Sequence, residues 1–546
     1  MIENKKATNR KANSILIQGS ILAAASLLVR VIGLIYRIPL TRILGDEAMG
    51  YYSTAFQFYN LALLLSSYSL PLAVSKLVSA REVKKQYRNS RKVFVFALGF
   101  GAVVGTIATL VVYFGADAYG RLNKTELVAI PLRVLAPTIL VFSVMGVIRG
   151  YFQGHNNMLP TAISQVVEQV VNAVVSILAA MYMVKKYAGD PAVDAYGAAG
   201  GTWGTFLGAC AAAVCLVVIY VIQRPLFAAL WRQDTSDYVE SNRKVMGAIL
   251  ATVLPVVVSQ TVYQLSGNID VTVFHRILSE RGFSASVRNQ WWSVYSNKYV
   301  LLSNVPVAIA SAMGTAIVPG LIAEYSRMNF EGIRQRVASA IKFNMLIAFP
   351  CAVGLSVLSG PILRLLFGDG SALSARMLSV GGVCVVFFAL STVTNGILQG
   401  IDRMKVPVLH SAIALGLHVI LLFVLLKFTH LNAMSLVLAN VFFAFVVCVL
   451  NWRSIRKYLD YRQEIDRTFV RPLLASLLMG AAVYGLHALL AHVLRDSAAT
   501  VLSIAAAVPV YGVGLLLLGC LTEEELRSMP KGTTLLRLLR KLHIRL

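Results

Sequence analysis

Four cations, Arg30, Lys76, Arg133 and Lys298, lie inside stretches of this chain that otherwise read as lipid-embedded helix. A charge at the centre of such a helix costs at least about 2.5–3.5 kcal/mol, so it lines a polar cavity or pairs with another group. Several cations at depth suit a protein that receives an anion. Arg30 and Arg37 are seven residues apart. Helical geometry puts them within about 20° of one face and about 10 Å apart along the axis. Two guanidinium forks at that spacing can grip a diphosphate, because Arg matches phosphate oxygens bidentately. The competing reading of Arg37 is that it snorkels to the outer interface. Arg133 divides evenly between the same two readings, and Lys76 is close enough to the end of its span to snorkel. Lys298 leans toward chemistry, since Ser296, Asn297, Ser303 and Asn304 make its helix unusually polar.

Two acids stand out among the apolar runs. Glu168 sits near Gln165, Gln169 and Asn172, and Asp270 follows Gln260, Gln264, Ser266 and Asn268. Polar stripes of this kind face water-filled cavities rather than lipid. Each acid is a candidate counter-ion for a buried cation or a coupling site that takes up a proton or sodium; the residues alone leave both open. Enzyme chemistry has no foothold: HExxH, Walker and GxSxG patterns are absent, and the aqueous segments are too short to fold a catalytic domain. The six cysteines, none in a CxxC pair, read as buried free thiols. His410 with His418, and His487 with His492, supply too few ligands for a metal site, so no metal or cofactor is expected beyond the coupling ion or a dependence on membrane potential.

The elements that hold these residues are legible from composition. The chain is 57% hydrophobic and 14% charged, against about 25% charged in soluble domains. Apolar runs recur at the length of about 20 residues that a crossing helix needs. Fourteen spans are expected, near 14–36, 50–78, 92–115, 128–149, 160–184, 196–222, 246–268, 291–320, 341–360, 375–398, 408–427, 431–451, 469–492 and 498–520. The first, although preceded by Lys5, Lys6, Arg10 and Lys11, reads as an uncleaved helix rather than a signal peptide. Pro39 is expected to end or kink it near the outer surface.

The net charge of +25 is distributed unevenly. Of the 50 Lys and Arg, 33 fall on the face shared by both termini, 13 on the other and four within the membrane. That asymmetry predicts both termini inside, and it reads as orientation in a membrane rather than nucleic-acid binding. The tail Thr533–Leu546 reads either as an amphipathic surface helix or as a solvated basic tail.

The chain also repeats. Arg42-Ile43-Leu44 recurs as Arg276-Ile277-Leu278, and Ser69-Leu70-Pro71-Leu72-Ala73 resembles Asn304-Val305-Pro306-Val307-Ala308. Gln153-Gly154 before Pro160 resembles Gln399-Gly400 before Pro407. Their shared order and nearly constant offset predict an all-α polytopic membrane protein of about 14 helices. Two six-helix lobes, 1–222 and 246–451, would be related by a parallel repeat and joined by a cytoplasmic linker, 223–245. Two extra helices over 452–520 and a basic tail over 521–546 complete the expected organisation. Transporters with such repeats place substrate between their halves.

With these features, and with Val29-Arg30-Val31-Ile32-Gly33, Arg42-Ile43-Leu44-Gly45, Gly150-Tyr151-Phe152-Gln153-Gly154 before Pro160, and Gly314-Thr315 before Pro319, the chain resembles the MOP exporter superfamily. The similarity is to its polysaccharide-flippase branch, which contains lipid II flippases and SpoVB-like proteins. The resemblance implies two lobes that alternate between inward-open and outward-open states. It also implies cavity arginines that bind the diphosphate of a polyprenyl-linked sugar, and an apolar groove for the lipid tail at spans 13 and 14. Arg30 matches a family cavity arginine. A second family arginine falls on Tyr36, with Arg37 one position along; a family acid falls on Tyr51, and the span-8 cation is displaced to Lys298.

The implied function is a flippase for lipid II, with other polyprenyl-diphosphate sugars (capsule, teichoic or spore cortex) as the alternative. A multidrug antiporter and a non-transporting cell-wall scaffold are the more distant readings. The implied setting is a bacterial cytoplasmic membrane, with an anionic lipid-linked substrate, membrane lipids and cell-wall synthesis proteins as partners and no nucleic acid.

Overall fold

The structure is a computed structural model that describes residues 2–521 apart from 235 and 237. Side chains are described from Ile21 onward except at 23, 255, 256, 258–260, 262, 263, 313–317 and 319. The tail Thr533–Leu546 therefore lies outside the described residues, and the side chains of Lys5, Lys6, Arg10, Lys11, Gln260, Thr315 and Pro319 lie outside the described side chains. Within them the chain is helical and without strands. It divides into two compact units, residues 1–293 and 294–546.

The first unit holds α1 (Ile2–Leu63), α2 (Leu70–Glu82), α3 (Tyr87–Leu122), α4 (Ala129–Gly154), α5 (Leu159–Lys186), α6 (Val193–Arg232), α7 (Asn242–Glu280) and α8 (Ala285–Ser293). The expectation for Pro39 fails: α1 continues through it, and the backbone leaves helical geometry only at Gly45, with φ 74° and ψ 175°. Only glycine occupies that region without strain. Residues 46–82 then form the second span, interrupted by a π-helical turn at Leu64–Tyr68.

The second unit begins with another π-helical stretch, Val294–Val300. It continues through α9 (Leu301–Ser326), α10 (Phe330–Val357), α11 (Ser359–Phe367), α12 (Ala372–Gly381), α13 (Cys384–Gly400), α14 (Lys405–Phe428), α15 (Met434–Leu459), α16 (Arg471–Ala491) and α17 (Asp496–Leu517). Asn329 caps α10 through Gly332 N–H, and Ser371 caps α12 through Ser374 N–H. The α16–α17 pair packs on α10 around Leu346, Ala475 and Leu515.

Among the described residues, eleven helical stretches are long and apolar enough to cross a membrane, and the first of them, Ala24–Glu82, runs 59 residues through the Gly45 break. The protein is a multi-pass membrane protein, and each of the fourteen sequence spans falls almost wholly on helix.

Small residues set the helix spacing, as expected where lipid gives helices no hydrophobic reason to associate. Gly200, Gly204 and Gly208 form one stripe of α6 against α5. A Cβ at Gly204 would come 2.1 Å from Ser176 Oγ, and one at Gly208 would come 2.6 Å from the Glu168 carbonyl. On α4, Gly146, Gly150 and Gly154 do the same against α2, with Pro71 O 2.6 Å from a Cβ at Gly150. The Gly150–Gly154 motif is thus a packing device.

Candidate functional site

Close approach of α5 to α6 brings a polar seam into the first unit. The Tyr36 and Tyr52 hydroxyls are 3.5 Å apart, and Asn172 Nδ2 donates to Tyr36 Oη at 3.5 Å. Asn172 Oδ1 accepts from Ser176 Oγ at 3.0 Å and from Thr205 Oγ1 at 3.5 Å. Both tyrosines are buried. Arg37 lies beside this seam, its guanidinium near the Tyr36 and Tyr52 hydroxyls. Arg30, two turns earlier on α1, is exposed and makes no hydrogen bond or ion pair among the described residues. The helix between them passes α5 closely, with Gln169 Nε2 3.1 Å from where a Cβ at Gly33 would stand.

One turn along α5 from Asn172, Glu168 is engaged. Its Oε2 accepts from Arg149 Nη2 at 2.8 Å, and Arg149 Nε donates to Ser164 Oγ at 3.0 Å. Glu168 is therefore the counter-ion of Arg149, a cation at the last position of the 128–149 span and not among the four read as lying at depth. Arg149 is buried inside α4, whose apolar run continues through Tyr151 and Phe152. Those two aromatic residues, two and three positions after the arginine, were the overlooked signal.

The remaining predicted residues stand apart from the seam. Arg133 pairs with Asp117 of α3, both partly exposed. Asp270 is buried on α7. In the second unit Lys298 is buried within the π-helical stretch, its Nζ 2.6 Å from Asp369 Oδ2. Lys76 is exposed, in keeping with snorkelling. His410 belongs to a hydrogen-bonded cluster, with Nδ1 2.7 Å from Asn451 Oδ1 and Nε2 3.3 Å from Ser454 Oγ. The six cysteines are free thiols.

Described residues of the segment read as a linker bond to α2 and α3. α6 runs to Arg232, and beyond it Arg88 N–H donates to Asp234 Oδ2 at 2.6 Å. Asn89 Nδ2 donates to the Tyr238 carbonyl at 2.8 Å, Glu240 N–H donates to Asn89 Oδ1 at 2.9 Å, and Arg81 pairs with Glu240. Burial alone would raise the Asp234 carboxyl, but hydrogen bonds from Ser236 and the Arg88 N–H outweigh it and hold it below the usual value.

Residues 16–326 match the model of a family described as polysaccharide biosynthesis protein. The chain belongs to that family. Residues 300–424 also match the MatE family. Lipid II flippase MurJ of Bacillus subtilis (strain 168) is 27% identical over 488 residues, covering 86% of this chain and 88% of that protein. Stage V sporulation protein B of the same organism is 23% identical, over 93% of this chain and 96% of that one.

Among solved structures, a lipid II flippase MurJ in an inward closed conformation aligns with TM-score 0.67 at 16% identity. It covers 91% of this chain and 98% of its own. An inward-facing multidrug resistance MATE family transporter of the MOP superfamily aligns with TM-score 0.66 at 17% identity, over 79% and 94%. These structural likenesses establish the fold. The polysaccharide branch of the resemblance read from the sequence agrees with this family; of the similar proteins, MurJ is a flippase and the MATE structure a transporter.

Proposed function

We propose that this protein is a flippase for a lipid-linked polysaccharide unit, with lipid II for peptidoglycan synthesis as the specific cargo. It would carry the polyprenyl-diphosphate-linked sugar from the inner to the outer leaflet of a bacterial cytoplasmic membrane by alternating access. The observation that carries the cargo is the Bacillus subtilis lipid II flippase, similar along nearly its whole length. The near-complete match to Stage V sporulation protein B favours a second reading, another polyprenyl-diphosphate sugar carried by the same chemistry.

Arg30 is the first diphosphate contact in this proposal, because its guanidinium is exposed and uncommitted among the described residues. Arg37, Arg133 and Lys298 follow it as cations that a diphosphate reaches only by displacing the Tyr36 and Tyr52 hydroxyls, Asp117 and Asp369 respectively. Charge-assisted bonds to phosphate oxygens, bidentate from the arginines and single from Lys298, are what would compensate such an exchange. Glu168 and Asp270 are the proposed coupling residues, for a proton or sodium. With both termini cytoplasmic, an inside-negative potential favours outward movement of the anionic headgroup by about 2.3 kcal/mol per charge per 100 mV.

The test is direct. Purified protein is placed in liposomes with fluorescent lipid II, and headgroup accessibility is followed for wild type and Arg30→Ala. Flipping by wild type that is lost in the variant supports both cargo and contact. Flipping that survives Arg30→Ala keeps the cargo and discards the residue. Folded protein that moves a different polyprenyl-diphosphate sugar, but not lipid II, establishes the second reading.

A further inference from the structure

A groove of about 290 Å³ opens on the second unit. α10 supplies Ile341, α13 Phe387 and Leu390, and α15 Phe445, Val449 and Trp452; Tyr461, Ile465 and Phe469 close one end. α16 and α17 contribute none of its lining, although Phe469 starts the segment 469–492 read as the thirteenth span, so the groove borders the one expected of the last two helices. The groove is large enough to hold part of one alkyl chain. Phe445, Trp452 and Ile465 are exposed at its rim.

An apolar groove facing lipid gives no selectivity, because every lipid tail is equally apolar. Selectivity comes from the charge beside it. Arg456 follows Trp452 by one turn on the same face of α15, Arg453 adjoins Trp452, and Arg462 lies between the lining residues Tyr461 and Gln463. All three arginines are exposed and make no hydrogen bond or ion pair among the described residues. The nearby carboxylates are already engaged: Asp460 faces Arg334, Glu464 faces Arg467, and Asp466 pairs with Arg471 at 2.8 Å. The groove mouth therefore carries uncompensated positive charge beside an aromatic residue of the interfacial kind.

We infer that this groove is a binding site for an anionic phospholipid of the surrounding bilayer. One acyl chain lies between Phe387, Leu390 and Trp452, and the headgroup phosphate sits on Arg453, Arg456 and Arg462. The occupant is a resident lipid, not the transported one.

Trp452 reports on the site. The full-length protein is reconstituted in phosphatidylcholine with increasing brominated-chain phosphatidylglycerol or brominated-chain phosphatidylcholine. Subtracting a Trp452→Phe sample isolates the Trp452 emission. Half-maximal quenching is expected at a mole fraction of brominated phosphatidylglycerol at least about tenfold lower than of the zwitterionic lipid, as the attraction of two or three arginines to anionic headgroups predicts. The triple variant Arg453→Gln/Arg456→Gln/Arg462→Gln should bring the two curves together. Val449→Phe, which fills the groove with the arginines intact, should weaken quenching by both lipids; each variant is first checked for wild-type elution and melting. Equal quenching by both lipids in the wild type overturns the site. Displacement of brominated phosphatidylglycerol by an equal amount of a polyprenyl diphosphate also overturns it, and assigns the groove to the cargo.

Discussion

Lys298 and Asp369 form a buried ion pair across 71 positions of sequence, Nζ to Oδ2 2.6 Å apart, with the lysine side chain 4% and the carboxylate 12% exposed. Asp369 also accepts from Ser371 N–H at 2.8 Å. Breaking such a pair leaves an uncompensated buried charge, whereas replacing both partners with apolar groups removes the desolvation penalty as well. Asp369→Asn should therefore cost about 3–5 kcal/mol, read as a lower melting temperature in detergent, and Lys298→Met/Asp369→Leu should recover most of it. A single variant that melts like wild type would show the pair to be incidental.

The same carboxylate predicts an acid sensitivity. Burial pushes Asp369 up, but hydrogen bonds from Lys298, Ser374 and the Ser371 N–H, with the lysine charge, hold it below 3.8. A carboxyl depressed in the folded state stabilises above its unfolded value, and that contribution fades as pH falls through the folded value. Melting curves from pH 6 down to pH 3 should show wild type losing stability below about pH 4. Asp369→Asn should lose less over that interval, and parallel curves would contradict the assignment.

Arg149 and Glu168 should behave as one unit. A double-mutant cycle with Arg149→Gln and Glu168→Gln is expected to give a coupling energy of about 1–3 kcal/mol, as contacting charges do. Coupling near zero would place the two side chains apart.

The contacts of Asp234, Tyr238 and Glu240 with α2 and α3 should protect the chain around them from proteases. Glu240→Gln, which weakens the contact with Arg81, should raise trypsin cleavage near Arg232 or Arg243 several-fold, because cleavage follows local opening. Unchanged digestion would mean that the Asp234 and Asn89 contacts suffice.

Glycine spacing offers the sharpest packing test. Gly204→Ala places a methyl 2.1 Å from Ser176 Oγ and should cost about 1–3 kcal/mol by overpacking. At Gly99 nothing lies within 4 Å, so Gly99→Ala should be neutral or slightly stabilising. Equal melting of the two variants would refute the close α5–α6 approach.

Hydropathy and charge asymmetry along the chain determined the membrane class, the position of nearly every crossing helix and the choice of Arg30 and Glu168 as residues to watch. Those properties are local: a run of apolar side chains must find lipid, and a charge within it must find a partner or water. Which partner it finds is not local. The pairing of Lys298 with Asp369, 71 positions apart, and of Arg149 with Glu168 depends on how separate segments of the chain meet. Glycines at four-residue spacing allow that approach, but they do not name the facing side chain. Only the tertiary structure decided which cations are neutralised and which, like Arg30, remain uncommitted among the described residues, because counter-ion assignment is fixed by distances of a few ångströms that no spacing in sequence records.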